Sequence, residues 1–483
     1  MGKAALKPTA QAGGAPFAAA AFDEGFSPDG APRGSYAGLF GRLDAPALED
    51  AAEWIRIDLA RRGVVFGGSD PRPFAVDPIP RLIEPDQWER VEAGLLQRVR
   101  ALNEFLADIY SESPRAIAEG VIPKRVIDEA EWWEPAMASP GAPTVRAHVA
   151  GPDLVRCPDG TFQVLEDNLR APSGLTYLLA AREAVQPLVI ATGMRPREIE
   201  GTPEVLLEVL RGAAPEGVVD PYVVLLTDGP GLSSAYYEHR EITHLLGLGL
   251  ATVDELHREG DRLFHGGADG REIDVIYRRI DDERLTERDG SATRLGQLLT
   301  EPMLAGNLGC ANSPGSGIAD DKAVHTYVDP MIRLYLGEEP ILPSVQGWDL
   351  GDPAQREEAM ARLDELVIKP RSEFGGSGVL VGPLASDDEL RHARSLVEAT
   401  PERFVAQVPV PLSTHPTVVE GDVRSRHVDL RPFVFTGAAA TTVMPGGLTR
   451  FAREEGEMVV NSGRGGGAKD TWVLQEPSGE RGS

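Results

Sequence analysis

Phe162-Gln163-Val164-Leu165-Glu166-Asp167-Asn168-Leu169-Arg170 is an apolar run closed by two acids and an amide. The pattern predicts a buried strand that carries its acids at its end, and side chains two apart on a strand face the same way. Glu166 and Asn168 are therefore expected to point together, with Asp167 on the opposite face. Just upstream, Gly151-Pro152-Asp153-Leu154-Val155 reads as the end of a neighbouring strand, and Pro158-Asp159-Gly160 supplies the turn between the two. Such a hairpin brings Asp153 near Glu166. Asp153, Glu166 and Asn168 then offer hard oxygen ligands of the kind Mg²⁺ takes when phosphates also hold it. Taken alone, an acid cluster at a strand end is more often a solvated rim.

Composition bounds the rest. The chain has 483 residues, enough for about three domain-sized units and a large core. Its 75 acidic and 48 basic residues give a formal charge of -27, which argues against a general affinity for nucleic acid. Cys157 and Cys310 provide neither a disulfide framework nor zinc spacing, and read as small buried hydrophobes of a reducing compartment. Met1 to Ala21 is rich in Ala, Gly and Pro, lacks the pattern of a signal peptide, and reads as a disordered tail. No apolar run approaches the ~18 residues of a membrane helix, so a soluble, cytoplasmic protein is expected. Only six basic residues are lysines: Lys3, Lys7, Lys124, Lys322, Lys369 and Lys469. Where arginine is the default cation, a retained lysine can mark a place that needs a compact point charge.

Up to about Met137 the chain reads as a mostly helical layer. Helices are expected over Ala45 to Arg62 and from Glu84-Pro85-Asp86 to Ile109, with Val64 to Pro80 as loop between them. Trp132 and Trp133 are expected to pack against the next layer. Strands follow over Thr144 to Val149 and Gln163 to Glu166, then a helix over Ser173 to Val185 opened by a Ser cap. Tyr222 to Leu226, the turn Thr227 to Ser234, the helix Ala235 to Leu246 and the strand Leu250 to Val253 form a βαβ unit. Asp274 to Ile280 is a further strand that ends in Arg278 and Arg279, a pair that suits a carboxylate or phosphate or else simply a solvated strand end.

A second informative region begins at Asn307. Asn312 to Gly317 is a turn-rich loop, and Ala319 to Leu336 reads as a helical run with Lys322 in its first turn. A lysine there opposes the helix dipole, and a bound anion is one reason for it. Leu363 to Val367 leads to Ile368-Lys369-Pro370 and the loop Arg371 to Gly378, a strand–lysine–glycine loop that can fold over phosphates as readily as it can serve a plain hairpin. Phe404 to Val408 is a strand with Gln407 near its end. In His427 to Phe435, Asp429 and Arg431 share a face. The glycine-dense stretch Val459 to Trp472 contains Arg464 and Lys469, and its apolar flanks argue that it is anchored.

Together, the acid-acid-amide site, two lysines, a glycine flap and an arginine resemble the ATP-grasp ligases. In ordinary members the lysines and flap come first and the metal-binding Glu-x-Asn comes last. Here Glu166-Asp167-Asn168 precedes Lys322 and Lys369, so the chain resembles a circularly permuted ATP-grasp protein of type 2, a family akin to the synthetase part of glutathionylspermidine synthase. The resemblance rests also on Pro172-Ser173-Gly174, Ser234 to His239, Asn312 to Lys322, Glu338 to Pro343, Asp429 to Phe433 and Gly465 to Trp472. One departure is Ser462-Gly463-Arg464, where relatives tend to have Ser-Ser-Gln. Two strands could supply the ATP-grasp arginine.

The resemblance implies an α/β (α+β) fold of permuted ATP-grasp type. It divides the chain into the tail 1–21, a mostly helical region 22–140, a Mg²⁺-binding part 141–200, a βαβ-type substrate domain 201–305, and a part 306–483 with the lysines and glycine loop. It implies ATP and Mg²⁺ as cofactors, with Asp153, Glu166 and Asn168 on the metal. Lys322 and Lys369 would contact phosphates, Gly375, Gly376, Ser377 and Gly378 would form the flap, and Gln407 and Val408 would meet adenine. Lys369 and Arg431 would act on the transferring phosphoryl group. The implied reaction is ADP-forming ligation of a small-molecule carboxylate to an amine, such as an amino acid or short peptide, through an acyl phosphate. Ser233, Ser234, His239, Arg278 and Arg279 are expected near the carboxylate or amine. A phosphotransferase on the same fold, or a nucleotide-binding partner protein with little catalysis, are the alternatives. Neither nucleic acid nor membrane is expected as a partner; a protein partner is left open.

Overall fold

A computed structural model describes residues 21–144, 146–267, 269–281, 284–372, 378–457, 460 and 466–476. The tail expected over Met1 to Ala21 therefore lies, but for Ala21, outside the described residues, as do Gly375, Gly376, Ser377 and Arg464. Among the described residues no helix is long and apolar enough to cross a membrane.

The architecture is mixed α/β, built around a seven-stranded sheet. Its order is Val76–Ile83, Gly467–Val473, Leu448–Phe451, Asp422–Arg431, Asp153–Arg156 and Phe162–Glu166, with Thr414–Val419 also paired to Asp422–Arg431. The hairpin expected at the opening stretch is present, and Asp153 stands opposite Glu166. A second sheet is parallel, in the order Gly309–Ala311, Val275–Arg279, Val223–Thr227, Gly249–Ala251, with the helix Tyr236–Leu246 joining its last two strands as a βαβ unit. The third sheet is antiparallel, ordered Gly347–Asp349, Phe404–Gln407, Val367–Pro370, Leu380–Val381. It has its own apolar core of Trp348, Leu350, Leu363, Ile368, Val397 and Ala406, apart from the two larger cores of the molecule.

The long helix Pro85–Ile109 buries Trp88, Val91, Leu95, Val99, Leu102, Phe105 and Ile109 at helical spacing, so its apolar stripe faces the core. Gln97 on that helix clamps the segment after it in space: its amide donates to Glu338 Oε2 and Glu339 O, both at 2.9 Å, and accepts from Ile341 N at 2.9 Å. The clamp lays Pro343 and Val345 along the outer edge of the strand Phe162–Glu166, where they bond Val164 at 3.0 and 2.8 Å. An edge that would otherwise expose unpaired backbone is thereby covered.

Several local readings are corrected. Val76–Ile83, expected within a loop, is a buried strand parallel to Gly467–Val473; it lies at the end of the sheet, where Pro78 and Pro80 cost no internal ladder bond. Among the described residues of Thr144 to Val149 only Val149 enters a strand, because the backbone N–H groups of Arg146 and Ala147 donate to Asn103 Oδ1 and those of His148 and Val149 donate to Asn312 Oδ1. The helix expected over Ser173 to Val185 runs Leu175–Thr192 without a Ser cap. Ser173 Oγ accepts from Arg279, and the Glu238 carboxylate takes the N–H groups of Gly174 and Thr176. Ala319 to Leu336 is broken into Ser316–Asp320, Lys322–His325 and Val328–Leu336, with extended backbone at Asp321. Gly467–Val473, inside the glycine-dense stretch, is a fully buried strand.

Candidate active site

Glu166 ends the edge strand of the large sheet, and its partner Asp153 begins the next strand, so the hairpin register alone places two carboxylates side by side. Asp153 accepts from Arg431 Nε and Nη2, both at 2.7 Å, and lies 2.9 Å from Arg450. Arg450 also donates to Asp429 at 2.9 and 2.5 Å. Burial opposes charge on Asp153, yet the two guanidiniums outweigh it and hold this carboxyl well below its usual range. Glu166 goes the other way: burial and the Asp153 charge push it up, against the pull of Lys322 and Lys369. Asn168 is tied across the hairpin by its amide, which donates to Gly151 O at 3.2 Å.

Asp167, expected on the opposite face, is buried by its own partners yet also borders the cleft that Lys322 and Lys369 line. It accepts from Arg98 Nε and Nη2, both at 2.7 Å, and from His325 Nδ1 at 2.8 Å. Arg98 is a charge set within the apolar stripe of the long helix, which was a readable sign that it has a buried partner.

Glu166, Lys322, Lys369 and Gln407 line one narrow cleft, with Leu165, Asp167, Asp320, His325, Thr326, Gly347, Val405 and Ala406. Its walls come from the hairpin, the short helix Lys322–His325 and the antiparallel sheet. Lys369 Nζ donates to Gln407 Oε1 at 2.5 Å, and Gln407 Nε2 donates to Leu165 O at 3.3 Å. Burial lowers the Lys369 ammonium to about 8; Glu166 and Asp153 resist this shift and Lys322 adds to it. Val408 is not on the cleft wall, and its N–H donates to Gln346 O at 2.9 Å. Gly378 has φ +67, and a Cβ there would stand 2.8 Å from Pro370 Cγ, so that glycine is required by backbone geometry.

The residues expected near a carboxylate or amine in the middle segment are engaged within the scaffold. Arg279 donates to Glu238 Oε1 and Ser173 Oγ at 2.7 Å and to Pro172 O at 2.9 Å. Arg278 donates to Asn312 O at 2.7 Å, and His239 Nδ1 lies 2.8 Å from Thr227 Oγ1. Ser233 is buried and accepts from Ala235 N at 3.3 Å, whereas Ser234 is exposed. Lys469 is fully buried in an ion pair with Asp77, far in role from a phosphate ligand. Arg450 was unreadable in sequence, since Leu448–Phe451 carries no motif around it.

A family model described as circularly permuted ATP-grasp type 2 matches residues 80–452. The chain belongs to this family. Among its relatives, an uncharacterised protein of Mycobacterium tuberculosis (strain H37Rv) is 40% identical over 468 residues, covering 94% of this chain and 84% of that one. An uncharacterised protein of Synechocystis is 38% identical over 473 residues, covering 94% and 97%. A Frankia alni protein with a provisional glutamate–cysteine ligase name is 40% identical over 466 residues, 94% of this chain and 54% of its own length. The apo structure of a glutathione synthetase-like effector from Globodera pallida covers 89% of this ATP-grasp chain and 98% of its own, with TM-score 0.57 and 12% identity, a likeness of fold alone. The site suits Mg²⁺ in one chemical respect: burial first, and then the charge of adjacent Asp153, raise Glu166, and a divalent cation held by these carboxylates would offset both.

Proposed function

We propose that this ATP-grasp chain is an ATP-dependent, ADP-forming ligase that joins a small carboxylate to an amine through an acyl phosphate. The observation that carries the reading is the shared cleft: Glu166, opposite Asp153, meets Lys322, Lys369 and Gln407, contributed by separate elements. The provisional name of the Frankia relative supports an amino acid or short peptide as substrate.

In this reading Asp153, Glu166 and Asn168 hold Mg²⁺, which would draw negative charge off the phosphate oxygens. Lys369 leaves Gln407 Oε1 for the phosphates, and Lys322 faces them from its helix. Gln407, freed of Lys369, turns its amide to the base. Arg431, which donates to Asp153 through Nε and Nη2 at 2.7 Å, stabilises the charge that builds on the transferring phosphoryl group. Exclusion of water from the cleft protects the acyl phosphate until the amine attacks.

The test is ADP release with Mg²⁺ and ATP across amino acids and dipeptides, paired with a thermal melt. A ligand at ~100 times its dissociation constant adds about 2.7 kcal/mol to the native state, a readily visible shift. Release that needs both carboxylate and amine supports ligation. A stable phosphorylated product with no amine requirement moves the protein to phosphotransfer, and a wild-type chain that ATP does not stabilise removes the site.

A further inference from the structure

We propose that His325 is a nucleoside-recognition residue whose Nε2 accepts a hydrogen bond from an N–H or O–H donor of the bound nucleotide, a proposal that rests on the nucleotide cleft above. His325 lies one turn after Lys322 on the short helix Lys322–His325, and its ring lines the cleft together with Thr326, Gly347 and Gln407. The ring is 5% exposed. Its orientation is set by Asp167: Nδ1 stands 2.8 Å from Asp167 Oδ2, and Asp167 is in turn gripped by Arg98 at 2.7 Å through both oxygens. Arg98 Nη2 is also 3.2 Å from Nδ1. A carboxylate only accepts, so the Nδ1 proton belongs to the bond with Asp167; in the tautomer protonated at Nδ1, Nε2 presents a lone pair.

Nε2 is buried and, among the described residues, has no hydrogen-bond partner. Buried side-chain polar atoms are satisfied in the large majority of cases, and an exception calls for an explanation. A brace for Asp167 would need only Nδ1. It gives no reason for an acceptor at the opposite edge of the ring, on a residue that borders a ligand cleft. Leu165, Val405 and Ala406 give this part of the cleft an apolar wall suited to a flat ring, so the missing donor belongs to the nucleoside end of the ligand. The adenine amino group and the ribose hydroxyls share the required chemistry.

Affinities of ATP, inosine triphosphate, 2′-deoxyATP, 3′-deoxyATP and inorganic tripolyphosphate are to be measured for the wild-type chain, His325→Asn and His325→Ala. Asn keeps an N–H for Asp167 and lacks the reach of Nε2, which guards against a folding artefact. Both variants should bind ATP about tenfold more weakly and tripolyphosphate unchanged. One analogue should bind wild type as weakly as ATP binds the variants and lose nothing further in them; inosine triphosphate would name the amino group, a deoxy analogue the hydroxyl. Unchanged ATP affinity in His325→Asn overturns the proposal. So does an equal loss of tripolyphosphate, which would make His325 a prop for Lys322. A wild-type chain that binds neither ATP nor tripolyphosphate removes the nucleotide cleft itself, and this contact with it; tight tripolyphosphate binding with no preference for any nucleoside removes only the contact.

Discussion

Glu166 and Asp153 share one patch of buried space and are shifted in opposite directions because only Asp153 has arginines in hydrogen-bonding contact. Replacing Glu166 by Gln keeps the shape and removes the like-charge repulsion. We expect Glu166→Gln to abolish Mg²⁺-dependent ADP formation while the melting temperature stays at or slightly above that of wild type; turnover at the wild-type rate would take Glu166 out of the metal site. Arg431→Ala leaves Asp153 to Arg450, so ATP should still bind while kcat falls about 100-fold, the scale of losing one transition-state donor. A variant that loses affinity and keeps kcat would make Arg431 an anchor. His148 offers a pH test away from the cleft. Burial pushes its imidazole down from 6.5 to about 4, so between those values the unfolded chain binds the proton and the folded chain does not. Stability from this group is therefore present above pH 6.5 and is lost as pH falls towards 4, at about 1.4 kcal/mol per unit. In urea titrations, His148→Gln should gain about 2 kcal/mol on wild type between pH 6.5 and 4.5; parallel pH curves would contradict this account.

At the scale of elements, the helix Leu175–Thr192 is held at its start by a carboxylate from the helix Tyr236–Leu246. Glu238 takes two backbone N–H groups with one oxygen and Arg279 with the other. Glu238→Ala strands a buried guanidinium and should cost about 3–5 kcal/mol in urea unfolding, as when one partner of a buried pair is removed; a loss below 1 kcal/mol would mean that water replaces it. The same contact shows what a sequence discloses. Phe162–Glu166, Val223–Thr227, Val275–Arg279, Val367–Pro370 and Phe404–Gln407 were legible because an apolar run is its own reason to be a strand. Val76–Ile83 was hidden by two prolines, and Gly467–Val473 by a lysine and an aspartate. Those charges are neutralised by Asp77 and Arg182, residues hundreds of positions away. The site followed the same rule. Glu166, Lys322, Lys369 and Gln407 were read from local motifs and meet in one cleft. Arg450, Arg98 and Glu238 act through partners no local pattern displays.

For the whole molecule, the large sheet gathers strands from residue 76 to residue 473, and its late strand Gly467–Val473 lies between Val76–Ile83 and Leu448–Phe451 rather than at a border. That strand brings Trp472, Lys469 and Asp470 into fully buried positions. A chain ended before Gly467 should show no cooperative melt by circular dichroism, whereas one ended after Glu476 should melt like the full sequence; a native-like melt of the shorter chain would show the strand to be dispensable. The consequence reaches into synthesis. Until the ribosome has released residue 473, two strands that must flank the missing one stand apart with their edges bare, and the pairing across nearly 400 residues cannot begin. The nascent chain can close its third sheet, which has its own core, well before the molecule has a complete centre.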